Sequence, residues 1–139
     1  MKRSILGLLL LSGVLLANDF SRDDTNNVVI DNATNLMWQD DVNTTKTWSE
    51  AITYCEDLSL ASHEDWRLPN QNELESIVDD TTYNPAIDST FHNVVSSFYW
   101  SSTTYAADSS GAWYVYFYYG YGTADSKSNT FYVRCVRDN

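Results

Sequence analysis

The sequence predicts an α+β fold in which two helices pack on a twisted, mostly antiparallel sheet. Two segments combine a helix cap with apolar residues at helical spacing, and they begin at Thr47 and at Asn70. The last third of the chain, from Phe98 onward, is rich in aromatic and β-branched residues and is interrupted by turn residues. Helices followed by a run of strands, without regular alternation, favour α+β over a parallel α/β arrangement.

The first residues, 1–17, predict a cleavable export signal. A basic start precedes an almost wholly apolar run from Ile5 to Leu16, which is too short to span a bilayer comfortably. A buried N-terminal helix is the alternative. Cleavage would leave a flexible lead-in at residues 18–27 and one domain at residues 28–139. We therefore expect an exported protein (periplasmic, cell-surface or secreted) that keeps no stable membrane span after signal removal.

A hairpin and two helices are predicted in the first half of this domain. Val28–Ile30 and Leu36–Trp38 flank the turn residues 31–35, which predicts the hairpin. The caps at Thr47 and Asn70 each have a Glu three residues downstream, where its carboxylate can accept a hydrogen bond from the cap backbone. The predicted apolar stripes are Trp48, Ala51, Ile52, Cys55 and Leu58 on the first helix, and Leu74, Ile77 and Val78 on the second.

A long ordered loop at residues 79–97 is predicted to lead into the β-rich part of the chain. This segment combines turn residues with sparse apolar ones. The predicted strands are residues 98–102, 112–119 and 130–137, and turn residues separate them at 108–111 and 120–122.

Two cysteines, Cys55 and Cys135, are the only ones in the chain. In an exported protein an isolated pair indicates a disulfide bond, here between the first helix and the last strand. The bridge would close a loop of about 80 residues, which is worth about 4.5 kcal/mol in the chain-entropy model. A metal-binding or redox pair is the alternative, but the sequence lacks Cys-x-x-Cys spacing and a neighbouring His.

The chain is strongly acidic, with a formal net charge of −11. Electrostatic repulsion therefore disfavours DNA, RNA and anionic lipid as partners. Cationic ligands and neutral polymers such as sugars remain open. Adjacent carboxylates are expected on solvated faces or at caps, namely Asp23 with Asp24, Asp40 with Asp41, and Asp79 with Asp80.

Little in the sequence indicates catalysis. His63 and His92 are the only histidines, and neither lies in the context of a nucleophile, so we expect both on the surface or in loops. The sequence has no phosphate-binding loop, zinc signature or EF-hand spacing. We expect no catalytic residue, no metal site and no cofactor, although a calcium site built from scattered Asp and Asn oxygens stays open.

The run of residues 66–69 predicts a structural role rather than ligand contact. We expect Trp66 and Leu68 to be buried. Arg67 should pair with a carboxylate and order the loop before the second helix, because a buried Arg needs such a partner. The same pairing is expected of Arg134 and Arg137.

Tyrosines dominate the stretch from residue 99 to residue 121. Strand alternation places Trp113, Val115 and Phe117 on one face and Tyr114, Tyr116 and Tyr118 on the other. The first set suits the core, whereas the second offers the rigid amphipathic surface that protein-binding loops favour, and aromatic faces also stack on sugar rings. We predict a ligand-binding surface for a glycan or a protein, made of Tyr105, Tyr114, Tyr116, Tyr118, Tyr119 and Tyr121. The alternative is a second face covered by the loop at 79–97, as in a structural or envelope-assembly protein.

A set of spaced motifs covers nearly all of residues 28–139. They are Asn35 to Asp40, Trp48 with Ala51, Cys55, Asp65 to Pro69, Glu73-Leu74, Asn84-Pro85, Tyr99 to Thr103 and Tyr132 to Arg137. In this order and spacing they resemble the Lcl C-terminal domain family, which is named after a collagen-like bacterial adhesin.

The resemblance implies a C-type-lectin-like fold, export, and binding of a ligand or a host surface. The family's namesake is similar to trimeric adhesins that take sulfated polysaccharides, so an oligomer is possible. This chain has no collagen-like repeat, and its acidity argues against a sulfated ligand. Formylglycine-generating enzymes share the broader fold, but their activity needs reactive cysteines. Here both cysteines are expected to be joined in one disulfide bond. We therefore expect a non-enzymatic recognition module for a neutral glycan or a protein.

Overall fold

The structure, a computed structural model, describes residues 19–139 as an α+β arrangement of two helices and nine strands. The predicted signal at residues 1–17 lies outside the described residues. The elements are β1 (Phe20–Asp23), β2 (Val28–Asp31), β3 (Leu36–Gln39), β4 (Thr45–Lys46), α1 (Trp48–Glu56), α2 (Gln71–Ser76), β5 (Phe98–Thr104), β6 (Gly111–Tyr116), β7 (Tyr121–Ser126), β8 (Phe131–Tyr132) and β9 (Val136–Asp138). Within the described chain, neither helix is long and apolar enough to cross a membrane.

The strands form two sheets rather than the single sheet predicted. One has the order β1-β2-β3-β9 and the other the order β4-β8-β5-β6-β7. All strand pairs are antiparallel except β5 with β8. The single final strand expected at residues 130–137 is wrong, because β8 joins the five-stranded sheet and β9 joins the four-stranded one. The buried residues Val133 and Cys135 lie between them and carry the chain from one sheet to the other.

The N-terminal part of the described chain is also more ordered than expected. Residues 18–27 were predicted to form a flexible lead-in, whereas Phe20–Asp23 forms β1 and pairs with the whole of β2. The ring of Phe20 meets the ring of Phe91 at a centroid distance of 5.4 Å. This contact and the backbone pairing with β2 together stabilise the ordered conformation of an otherwise polar segment. The predicted β2–β3 hairpin is confirmed.

Both helices begin at the predicted caps. The backbone N–H of Thr47 donates to Glu50 Oε2 at 3.1 Å. At the second cap, Asn70 Oδ1 accepts from the Glu73 N–H at 2.8 Å, and Glu73 Oε1 accepts from the Asn70 N–H at 3.0 Å. These reciprocal bonds satisfy amides that have no partner inside the helix. Residues 79–97 contain no helix or strand and form the ordered loop that was predicted.

The five-stranded sheet is buried on both faces at β5 and β6. Trp100 and Tyr114 join the apolar cluster that contains α1, whereas Tyr99 and Val115 join the cluster that contains Leu74 of α2. Side chains of the 79–97 loop complete the second cluster, namely Ile87, Phe91 and Val94. The alternation of side chains along β6 therefore divides the strand between two cores.

The predicted disulfide bond is present. It joins Cys55 of α1 to Cys135 across a Cα–Cα distance of 5.4 Å, and both residues are fully buried. Cys135 lies one residue before β9 rather than on a strand. The sequence separation is 80 residues, for which the chain-entropy model gives a stabilisation of about 4.5 kcal/mol.

Asp40 forms a buried ionic centre at the end of β3. Its carboxylate accepts from Arg134 Nη1 at 2.7 Å, from Arg22 Nη1, and from the backbone N–H groups of His92 and Asn93 at 2.8 and 3.2 Å. The side chain is fully buried, so the expectation of a solvated carboxylate is wrong here. Two arginines and two backbone amides replace the lost hydration, and they fasten the long loop to the four-stranded sheet.

The other two predicted arginine pairs are also present. Arg67 holds both oxygens of Glu73, at 2.5 and 2.8 Å. Arg137 donates to Asp65 at 2.6 Å. Trp66 and Leu68 are buried, as expected for a structural segment.

Candidate functional site

Four tyrosines surround the turn between β6 and β7. We call Tyr116, Tyr118, Tyr119 and Tyr121 the tyrosine cluster. Tyr118 and Tyr119 lie 4.5 Å apart between ring centroids, and Tyr116 and Tyr121 lie 5.5 Å apart. Tyr116 also stacks on Tyr118 at 5.9 Å, and Tyr119 stacks on Tyr121 at 6.4 Å. These separations are typical of favourable aromatic pairs, so the rings support one another.

The outer part of the tyrosine cluster is open to solvent. Tyr119 is 61% exposed and Tyr121 is 51% exposed, whereas Tyr116 and Tyr118 are half-buried. Phe98 lies beneath the cluster, with its ring centroid 4.6 Å from that of Tyr116. Two half-buried rings on an aromatic base thus support two exposed ones, which gives a contiguous aromatic surface.

The turn that carries the tyrosine cluster is fastened to the rest of the domain. Gly120 has a φ of +86°, a conformation that favours glycine. A Cβ at this position would lie 2.6 Å from Val78 Cγ1, because the turn packs against the end of α2. The carbonyl of Tyr118 accepts from the Asn84 N–H at 2.8 Å, and that of Phe117 accepts from the Ala86 N–H at 2.7 Å. These contacts hold the turn in place.

Two of the six predicted tyrosines lie away from the tyrosine cluster. Tyr114 is only 8% exposed, so the expectation that it faces solvent is wrong. Its ring lies 4.9 Å from Phe98 and 5.0 Å from Phe131. Burial, together with the charges of Asp125 and Tyr121, raises the pKa of Tyr114. Tyr105 lies at the other end of β6, with its ring 5.6 Å from Trp113.

The loop at 79–97 covers the face of β6 that lies opposite the tyrosines. The alternative, that this loop covers the tyrosine face, is wrong, because Ile87 and Phe91 pack with Val115 and Phe117. The face of Tyr114 is covered by the cluster around α1. Only the part of the tyrosine face near the turn therefore remains open.

One exposed aromatic residue beside this turn is not indicated by any pattern in the sequence. Tyr83 is 72% exposed, and the next residue, Asn84, donates its N–H to the carbonyl of Tyr118. Tyr83 lies in the long loop, where no periodicity links it to β6. The hydrogen bond from Asn84 to Tyr118 connects the long loop to the turn in the folded chain, and no local sequence pattern predicts it.

The cations of the described chain are engaged in other contacts. Each of the four arginines in residues 19–139 pairs with at least one carboxylate, namely Arg22, Arg67, Arg134 and Arg137. Lys127 Nζ lies 4.0 Å from the ring centroid of Trp48, and Lys46 Nζ lies 5.9 Å from that of Tyr54. This arrangement offers a polyanion little positive surface.

The two histidines lie outside the helices and strands of the described chain. The backbone of His63 pairs with that of Leu60, and His92 is exposed in the long loop. Residues 19–139 contain no group of three or more His, Cys, Asp or Glu side chains placed to hold a metal ion. A groove of about 550 Å³ runs along α1, lined by residues that include Lys46, Glu50, Tyr54 and Asp57.

The family comparison agrees with the motifs of the sequence. The model of the Lcl C-terminal domain matches residues 27–137, a range that includes both sheets from β2 onward, the disulfide bond and the tyrosine cluster. A search of curated proteins finds no match. Because the matched residues make up most of the chain, the protein belongs to the Lcl C-terminal domain family.

Proposed function

We propose that this domain is an exported, non-enzymatic recognition module of the C-type-lectin-like kind, whose tyrosine cluster binds a neutral glycan or a protein surface. The single observation that carries the proposal is the contiguous aromatic surface at the β6–β7 turn, with Tyr119 61% exposed and Tyr121 51% exposed. Tyrosine offers large contact area at a small cost in conformational entropy, and binding sites are enriched in it for this reason.

Rigidity supports a binding role for the tyrosine cluster. The turn is held by backbone hydrogen bonds to the long loop and by the packing of Gly120 on Val78. A surface that is already ordered loses little entropy when a ligand binds. Membership of the Lcl C-terminal domain family, which is named after a collagen-like bacterial adhesin, supports the same class of function.

The main alternative is a structural or envelope-assembly protein with its tyrosines buried. The burial of Tyr114 favours this alternative for one residue only, since the four residues of the tyrosine cluster stay at least partly exposed. A hydrolase would need a histidine aimed at a nucleophile, and no hydrogen bond from the imidazole of His63 or His92 to a Ser hydroxyl is present among residues 19–139.

The test is binding of the purified domain to an array of neutral glycans and of surface proteins. We expect the double variant Tyr119→Ser, Tyr121→Ser to lose binding by about tenfold or more, because these rings supply the exposed contact area. The matched control is Tyr105→Ser, at the other end of β6, which should bind as the wild type does. Equal binding by both variants and the wild type would show that the tyrosine cluster is not the site.

A further inference from the structure

We propose that the free edge of β7 binds an extended, basic segment of a partner protein as an added strand. β7 is the last strand of the five-stranded sheet. The inference rests on the proposed function only in taking the ligand to be a protein, because the hydrogen bonds come from the backbone of β7 and the rings of the tyrosine cluster meet only one end of the added strand.

The hydrogen-bond pattern identifies which groups of β7 are free. Lys127 N–H donates to the carbonyl of Ser110 at 2.9 Å, one step beyond the pair of Gly111 with Ser126. Hydrogen-bonded and non-hydrogen-bonded pairs alternate in an antiparallel ladder. The backbone groups of residues 121, 123 and 125 therefore point towards β6, and those of Gly122 and Ala124 point away from it.

The outward N–H and C=O groups of Gly122 and Ala124 have no hydrogen-bond partner among residues 19–139. Ser126 marks the end of this free edge, because its carbonyl accepts from the Asn129 N–H at 3.0 Å and its own N–H donates to Asp125 Oδ1 at 2.6 Å.

The free edge lacks most of the features that usually protect one. Natural edge strands carry charged side chains (Lys above all), Pro or a bulge that prevents pairing with another chain. Residues 121–126 contain neither Pro nor Lys, and their pairing with β6 is regular throughout. Their one charged residue, Asp125, deters an acidic strand but not a basic one. The central residues Gly122, Thr123 and Ala124 are small, so an approaching strand meets no bulky side chain. Four backbone hydrogen bonds are thus available to an extended peptide.

The surroundings of the edge indicate a basic partner. A cavity of about 320 Å³ lies at its far end, and Asp108 and Asp125 line it. Hydrogen bonds from the side chain and backbone of Ser110 lower the pKa of Asp108, which keeps this carboxylate ionised. At the near end, the exposed faces of Tyr119 and Tyr121 can receive a cation. A Lys or Arg at either end of the added strand would therefore find a partner.

A second copy of the chain fits this edge less well. Association of two copies brings together two molecules that each carry a formal net charge of −11, which costs free energy through repulsion. A basic segment gains from the same charge. Electrostatics therefore favours a foreign strand over self-pairing.

The test compares Ala124→Pro with Ala124→Ser on peptides of defined composition. Proline removes the outward N–H of residue 124 and is tolerated where the N–H faces solvent, whereas serine keeps the donor and is the matched control. The probes are immobilised octapeptides of alternating Val and Thr with either Arg or Glu at both ends. Thermal unfolding of both variants checks that the fold is intact, and amide exchange reads the protection of Gly122 and Ala124.

We expect the Arg-ended peptide to bind the wild type and Ala124→Ser and, in both, to slow the exchange of the backbone amides at positions 122 and 124. Ala124→Pro should weaken this binding about tenfold, and the Glu-ended peptide should bind no variant. Equal binding of the Arg-ended peptide by the proline and serine variants would overturn the inference. A dimer of the free protein that Ala124→Pro dissolves would also overturn it, in favour of a second copy. Because the array experiment on Tyr119 and Tyr121 is separate, its outcome judges the proposed function independently.

Discussion

At the scale of single residues, Asp40 is a fully buried carboxylate that pairs with two arginines. Arg22 and Arg134 both direct a guanidinium at this one carboxylate, and all three side chains are at least nine-tenths buried. Removing one member of a buried ion pair leaves an uncompensated charge in a poorly solvated place. The long loop depends on the same carboxylate, because its backbone amides at His92 and Asn93 donate to it.

We therefore expect Asp40→Asn to lower the free energy of unfolding by about 3 kcal/mol. The matched control is Asp24→Asn, because Asp24 also pairs with Arg22 but its side chain is 79% exposed. An exposed pair contributes less than about 1 kcal/mol. Urea denaturation of both variants measures the difference. Similar losses would mean that burial of Asp40 does not decide the effect.

A second residue-scale prediction concerns pH. Burial alone would raise the pKa of Glu73, but the bonds from Arg67 and from the Asn70 backbone outweigh it, so the pKa lies below its ordinary value of 4.5. A carboxyl whose pKa is lower in the folded state adds stability above its unfolded pKa and loses it as the pH falls through the folded value. The Tm advantage of wild type over Glu73→Gln should thus be constant near neutral pH and shrink below about pH 4.5.

Melting curves between neutral pH and pH 3 test this expectation. Glu56→Gln is the control, because Glu56 is exposed at the end of α1 and makes no ion pair within residues 19–139. An advantage over Glu73→Gln that grows on acidification would contradict the sign of the argument.

At the scale of elements, the β6–β7 turn depends on Gly120. We expect Gly120→Ala to cost about 2 kcal/mol, since alanine pays for a positive φ and its Cβ would meet Val78. Gly122→Ala is the matched comparison, because Gly122 has no positive φ and its Cβ would meet side-chain ends, those of Gln71 and, at 2.7 Å, of Glu75. Unfolding in urea should rank Gly120→Ala as the less stable variant. The reverse order would show that the turn does not require glycine.

The elements also show what the sequence could and could not predict. Cap residues and turn chemistry act locally, so the starts of both helices and the first hairpin were predicted correctly. The pairing of Arg67, Arg134 and Arg137 with carboxylates was also predicted correctly, but the buried position of Asp40 was not. Alternation along β6 was also correct as a pattern, but it implied that one face meets solvent. The cover on Tyr114 comes from Phe98 and Phe131, which are distant in sequence, and no local pattern reports such contacts.

The same lack of information about contacts between distant residues explains why the division of the last strand and the presence of β7 were not predicted. Residues 130–137 have uniform strand propensity, so the sequence does not reveal that β8 and β9 belong to different sheets. Residues 121–126 combine Gly, Ala, Asp and Ser, which have low strand propensity. Pairing with β6 along six residues overrides that preference.

At the scale of the whole molecule, the distribution of charge disfavours polyanions as ligands. Arg134 is buried on Asp40, Arg137 pairs with Asp65, and Lys127 Nζ donates to Thr104 and Ser109. Few cations are left to release counterions from a polyanion. We expect no measurable binding of heparin at physiological salt, by calorimetry.

A positive control makes that result informative. The double variant Glu50→Lys, Asp57→Lys places two cations on the groove along α1 and should gain heparin affinity that falls with added salt. Tight heparin binding by the wild type that weakens steeply with salt would show that the charge argument is wrong.

The two ends of the described chain meet at one place. The carbonyl of Asp19 accepts from the Asn32 N–H at 3.0 Å, and the N–H of Asn139 donates to the carbonyl of Asn35 at 3.0 Å. Both ends therefore flank the same four-residue turn, between β2 and β3. A short linker could join residue 139 to residue 19, and the ring could be reopened at the exposed turn of Ala106 and Ala107. Such a circular permutant would keep every strand pair. Its new N- and C-termini would lie between β5 and β6, in the five-stranded sheet, instead of beside the four-stranded sheet.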